Sequence, residues 1–169
     1  MQVLYRLLAN PDYIEPLRQE VDAVIREEGW TKAGIDKMYK IDSVIRETQR
    51  IDGVSSRSLS SFPRYYEMLI RSSLLPVAMS RLALRPFTFS NGVTVPAGTF
   101  VTVPGTAVQT DERTHTNPDE FDGFRFARLC EGEGKTTASR NQTVSVSHDH
   151  LAFGLGQHTW YALQVPCSL

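Results

Sequence analysis

Asn91-Gly92 stands between two short runs, Phe87-Thr88-Phe89 and Val93-Thr94-Val95, that are rich in aromatic and β-branched residues. That setting is the strongest short-range signal for a β-hairpin, because Asn and Gly tolerate the left-handed backbone a tight reversal needs. Ala97-Gly98 marks a second tight turn and leads into a strand expected over about Phe100–Val103. The chain before residue 51 obeys a different period. Val3, Leu4, Leu7 and Leu8 share one side of a helix over 2–9. Asn10-Pro11 is expected to stop it and cap the next. From Pro11 to about Glu28, Ile14, Leu17, Val21, Val24 and Ile25 recur at helical spacing, and the charges opposite read as a solvated face. Gly29 ends that helix. A third runs from about Lys32 or Asp36 to Arg50, with Met38, Ile41, Val44, Ile45 and Thr48 inward. Helices followed by hairpins make an α+β chain.

A length of 169 residues supports one domain with a real core, and 41% hydrophobic with 22% charged residues is ordinary for a globular protein. The net charge of −1 gives no electrostatic reason to expect nucleic acid or an anionic membrane as partner. No apolar run approaches the length of a membrane span, and no signal-peptide layout opens the chain. Cys130 and Cys167 form neither a disulfide framework nor a metal-ligand spacing, so a reducing, cytoplasmic setting is expected for the chain as written.

The remaining stretches are less patterned. Residues 54–63 are Ser-rich and read as loop, and Tyr65 to Leu75 as a helical turn or two. Residues 105–128 read as a short helix followed by irregular chain, with His115 a surface histidine in a polar turn. Pro118 to Phe126 sets Phe121, Phe124 and Phe126 around Arg125. Residues 131–148 are poor in apolar side chains and are expected to be mobile. Asn141-Gln142-Thr143 matches a glycosylation acceptor but has no secretory route to support it.

Three motifs carry chemistry. Glu47 and Arg50, three apart on a helix, project from nearly one face; by spacing alone they make a surface pair worth a few tenths of a kcal/mol. Arg125 lies in the Pro/Phe-rich segment. In Phe153-Gly154-Leu155-Gly156-Gln157-His158-Thr159-Trp160 the glycines let backbone lie flat against a large ligand. In that order the three stretches resemble the C-terminal part of a cytochrome P-450, a haem-thiolate monooxygenase, whose pattern runs Glu-x-x-Arg, a later Arg, then Phe-x-x-Gly-x-His/Arg-x-Cys. The phrasing of residues 78–101 looks most like fungal secondary-metabolism members.

The resemblance implies the last third of the mainly-α fold of that family, incomplete: helices over 1–50, hairpins and the Arg125 segment over 78–128, a mobile loop over 131–148 and a haem loop over 151–160. Residues 54–73 are then an insertion or translated non-coding sequence, and 161–169 a tail outside the family pattern. It also implies haem as cofactor, touched by Phe153, Gly154, Gly156 and His158, with Arg81 on a propionate and Glu47, Arg50 and Arg125 as a buried ionic cluster beneath. A full-length parent would oxidise an apolar small molecule with electrons from an NADPH-dependent reductase, at the endoplasmic reticulum membrane.

One residue departs from the pattern. Trp160 stands where the family has its iron-ligating cysteine. Indole N–H is a donor with no lone pair for a metal, and a thiolate is what lets this family's haem split dioxygen. Cys167 comes seven residues too late, and Cys130 precedes the loop. Reading through an intron that begins GTATG after the first two bases of a Cys codon yields Trp-Tyr and then a G-starting codon, and Trp160-Tyr161-Ala162 fits. The chain is therefore expected to lack monooxygenase activity. A different reading is a non-catalytic α+β module, or the product of a misjoined gene, with no haem.

Overall fold

The computed structural model describes residues 1–52, 77–133, 143, 145, 147–156 and 159. Four helices come first: α1 (Gln2–Ala9), α2 (Ile14–Glu28), α3 (Lys32–Ile35) and α4 (Tyr39–Asp52), with a 3-10 turn over Pro11–Tyr13. Strands β1 (Val77–Leu82), β2 (Phe87–Thr88), β3 (Thr94–Val95) and β4 (Phe100–Pro104) follow, then α5 (Gly105–Gln109) and α6 (Arg125–Glu133). The α+β order is the expected one.

Several local expectations need correction. Asn10 does not cap the following helix; its Nδ2 donates back to the Arg6 carbonyl and closes α1. The third helix is two, because Thr31 caps a single short helix by accepting the Gly34 N–H, and the chain turns again before Tyr39. Nor is the polar face of α2 wholly solvated. The Glu20 carboxylate accepts the N–H groups of Lys40 and Ile41 at 2.8 and 3.0 Å, satisfying donors that the start of α4 leaves open. Burial raises the Glu20 pKa, and those two bonds oppose the rise.

The hairpin forms where Asn-Gly asks for it, with Phe87 opposite Val95 and Thr88 opposite Thr94. Only Gly92 takes a positive φ (85°), and Phe89 N–H reaches the Val93 carbonyl across a three-residue turn. β4 pairs antiparallel with β1, Leu82 facing Phe100 and Met79 facing Val103. That strand over 77–82 was not marked by any alternation in the sequence.

Helix α6 also goes beyond the sequence reading, which has irregular chain to residue 128 and a mobile stretch from 131. Its opening donors are met from another helix: Ser43 Oγ of α4 accepts the N–H groups of Phe126 and Ala127, both at 3.1 Å. Ser43, Val44, Phe126 and Ala127 are all buried at this crossing. Replacing Ser43 with Ala leaves two buried N–H groups without their acceptor. The expected loss is about 1–2 kcal/mol of unfolding free energy, read as a lower urea midpoint at unchanged slope.

Phe121 and Phe124 do not gather around Arg125. They pack edge-on against Tyr13, at centroid separations of 5.8 and 4.9 Å, and tie the 118–124 segment to the first helices. A Cβ at Gly123 would meet the Tyr13 ring at 2.9 Å, so only glycine permits that approach. Between α1, α2 and α4 an apolar cavity of about 550 Å³ opens, lined by residues such as Val3, Leu7, Leu17, Val21, Ile41 and Val44. Among the described residues no helix is long and apolar enough to cross a membrane.

Candidate functional site

Helical spacing brings Glu47 and Arg50 together, and packing removes both from water, at 0% and 1% exposure. The surface-pair reading therefore fails. Arg50 Nε and Nη2 donate to the two carboxylate oxygens of Glu47, each at 2.8 Å, in a paired geometry. Arg125 Nε reaches the same carboxylate at 3.1 Å, and the Asp122 N–H supplies a fourth bond at 3.1 Å. One carboxylate thus carries two guanidiniums.

The surplus positive charge is held by carbonyl oxygens. Arg50 Nη1 donates to Gln109 at 2.8 Å, and Arg125 donates to Thr116, Asn117 and Glu120. Such a cluster is stable only because every charge finds hydrogen bonds, and it locks α4 to the end of α5 and to the 116–125 segment. Its role is to hold backbone in place.

Beside it lies a second buried polar group that sequence reasoning missed. His115 is 9% exposed rather than a surface histidine, and His150 is 2% exposed. Both rings stand edge-on to Phe126, at 6.2 and 6.5 Å. Across the same Phe126 ring, at 4.8 Å, lies the guanidinium of buried Arg46. Burial, then the charges of Arg46, His115 and Arg50, push the His150 pKa down to about 3. Burial first, with Arg50 and Arg125 adding, also lowers that of His115.

The His150 imidazole is neutral when folded, whereas that of the unfolded chain takes up a proton below about pH 6.5. Stability from His150 is therefore complete above that pH and drains away as pH falls towards 3, by up to about 1.4 kcal/mol per pH unit. Urea midpoints measured between pH 7 and about pH 4.5 should fall steadily, and a His150→Gln variant should fall less.

The glycine loop is anchored to α4 just upstream. The Thr143 N–H donates to the Asp42 carboxylate at 2.8 Å and its hydroxyl to the Asp42 carbonyl at 2.9 Å. His150 bridges to Ser147, and Leu151 is buried. Gly154 and Gly156 take φ of 79° and 76°, which L side chains rarely adopt, and no described residue comes within 4 Å of where a Cβ would stand at Gly156. Phe153 is half-buried. His158 and Trp160 lie outside the described residues, as do Cys167, residues 53–76 and the 161–169 tail. Arg81 sits exposed on β1, where Nη1 donates to the Ser80 carbonyl; among the described residues it makes no bond to the loop. Cys130 is half-buried on α6, remote in sequence from the loop.

One buried carboxylate, Glu47, thus ties two arginines and the 116–125 segment to α4. A family model described as cytochrome P-450 matches residues 1–61 and 66–159. Among curated proteins, the chain is 41% identical over 157 residues to cytochrome P-450 monooxygenase janQ of Penicillium janthinellum, covering 92% of this chain and 27% of that protein. It is 36% identical over 155 residues to cytochrome P-450 monooxygenase 151 of Postia placenta, again covering 92% and 27%. Its identity to cytochrome P-450 monooxygenase paxQ of Penicillium paxilli is 35%, covering 92% and 26%. The chain belongs to the cytochrome P-450 family, and it spans about a quarter of the length of the curated relatives it matches.

The family implies haem, and the loop and the donor set fit it differently. Two left-handed glycines, with no described residue within 4 Å of where a Cβ would stand at Gly156, suit the face of a macrocycle. Trp160, the residue after the end of the family match, offers an indole N–H and no lone pair for a metal. Among the described residues no group of three or more His, Cys, Asp or Glu side chains could hold a metal.

Proposed function

We propose that this chain supplies the haem-side scaffold of a cytochrome P-450 monooxygenase of fungal secondary metabolism, and that as written it does not perform the reaction. The observation that carries this is Trp160, directly after the last residue of the family match, Thr159. A thiolate-bound haem supplies dioxygen cleavage when it is present, and an indole at residue 160 does not provide that thiolate.

In this reading Phe153, Gly154, Gly156 and His158 hold the ring and Arg81 takes a propionate by paired hydrogen bonds. Glu47, Arg50 and Arg125 keep the backbone beneath it in register. The apolar small-molecule substrate and the NADPH-dependent reductase belong to the longer parent, as does attachment to the endoplasmic reticulum. Residues 62–65 and 160–169 lie outside the family match. A spliced transcript should then read Cys at the codon of residue 160, and one that retains TGG-TAT there would remove the intron explanation. Haemin titration of the purified chain tests the ring-holding role: a Soret band supports it, and no uptake removes haem from the reading.

A further inference from the structure

Among the described residues at the root of the glycine loop, His150 is the one side chain that is both titratable and nearly sealed from water. Its Nε2–H reaches Gln49 Oε1 of α4 over a long 3.4 Å, and Nδ1 has no hydrogen-bond partner among the described residues. Gln49 lies between Glu47 and Arg50, so this contact couples the loop to the ionic cluster. Every neighbouring element presents either positive charge or a neutral surface to the ring. From α4 come Arg46 and Arg50, the latter already paired with Glu47. The 111–124 segment contributes His115, and α6 the uncharged ring of Phe126. Two carboxylates bear on Arg46 instead: Asp42, already engaged by Thr143, and exposed Asp149.

We propose that His150 is the positioning residue that seats the glycine loop on α4, and that the loop stays seated only while this imidazole is uncharged, so that acid releases it. A proton on Nδ1 would be a buried donor with no acceptor, beside two guanidiniums, and the loop escapes that cost by swinging the ring into water. Half-buried Gly154 and exposed Gly156 both take positive φ, so the backbone there is not held by side-chain packing of its own. The device is independent of whether the loop meets a haem.

The test is hydrogen–deuterium exchange of the full chain without haemin, from pH 7 to about pH 4.5, corrected for intrinsic exchange chemistry. Two amides report the seat: that of His150 bonds the Ser147 carbonyl, and that of Gly154 the Leu151 carbonyl. Their protection should fall about tenfold per pH unit below about pH 6.5, the slope of a single proton taken up on release. Amides of α2 should stay more protected than these two at every pH. Gln cannot titrate yet can donate to Gln49, so His150→Gln should keep the loop protected at pH 7 and abolish the slope. His115→Gln should leave the slope in place. A pH-independent loop in the unaltered chain, a slope that survives His150→Gln, or a loop already unprotected at pH 7 in that variant would each overturn the proposal.

Discussion

Replacing Glu47 with Gln should cost about 3–5 kcal/mol, enough to unfold a small domain outright, because it leaves two guanidiniums without their counter-charge in a buried setting. Arg50 is the less forgiving of the two, with no exposed side-chain surface, while Arg125 keeps 11%. The loss should appear as vanishing of the cooperative urea transition in circular dichroism. Arg125→Ala should be milder, since Thr116, Asn117 and Glu120 offer carbonyls that water can reach at that edge. An unchanged midpoint in Glu47→Gln would mean that the cluster does not carry the fold.

The other large effect is chemical. Trp160→Cys should convert the loop from one that cannot bind iron through sulfur into one that can, because the thiolate supplies the electron density that indole lacks. With haemin and reductant, carbon monoxide should then give the Soret shift of thiolate ligation, absent from the unaltered chain. Trp160→Ser removes the indole bulk without adding sulfur and should leave the spectrum unshifted. A shift in Trp160→Ser would show the relevant sulfur to come from elsewhere in the chain.

What the residues disclose in advance, and what they conceal, divides along sequence distance. Glu47 and Arg50 are three apart, and the Asn91-Gly92 turn is contiguous, so local spacing suffices for both. The presence of Arg125 at the same carboxylate, 78 residues away, was suggested only by the family resemblance. Helix α6 lacks an obvious start signal because its cap, Ser43, arrives from α4 some 83 residues earlier. His115 looks like any polar-turn histidine; its burial is caused by Phe126 and the arginines around it. His150 carries no motif, and Gln49 that contacts it lies 101 residues upstream. Strand β1 is made by its partner β4, since Val77-Ala78-Met79-Ser80-Arg81-Leu82 has little alternation to mark it. Contacts of this kind are decided by tertiary packing, which overrides local preference.

The most direct measurement is the carbon monoxide difference spectrum of the reduced, haemin-supplied wild-type chain. Expected is haem uptake with a nitrogen-type spectrum that His158→Ala abolishes. A thiolate-type Soret shift from the unaltered polypeptide would contradict the assignment of Trp160 as a broken iron ligand.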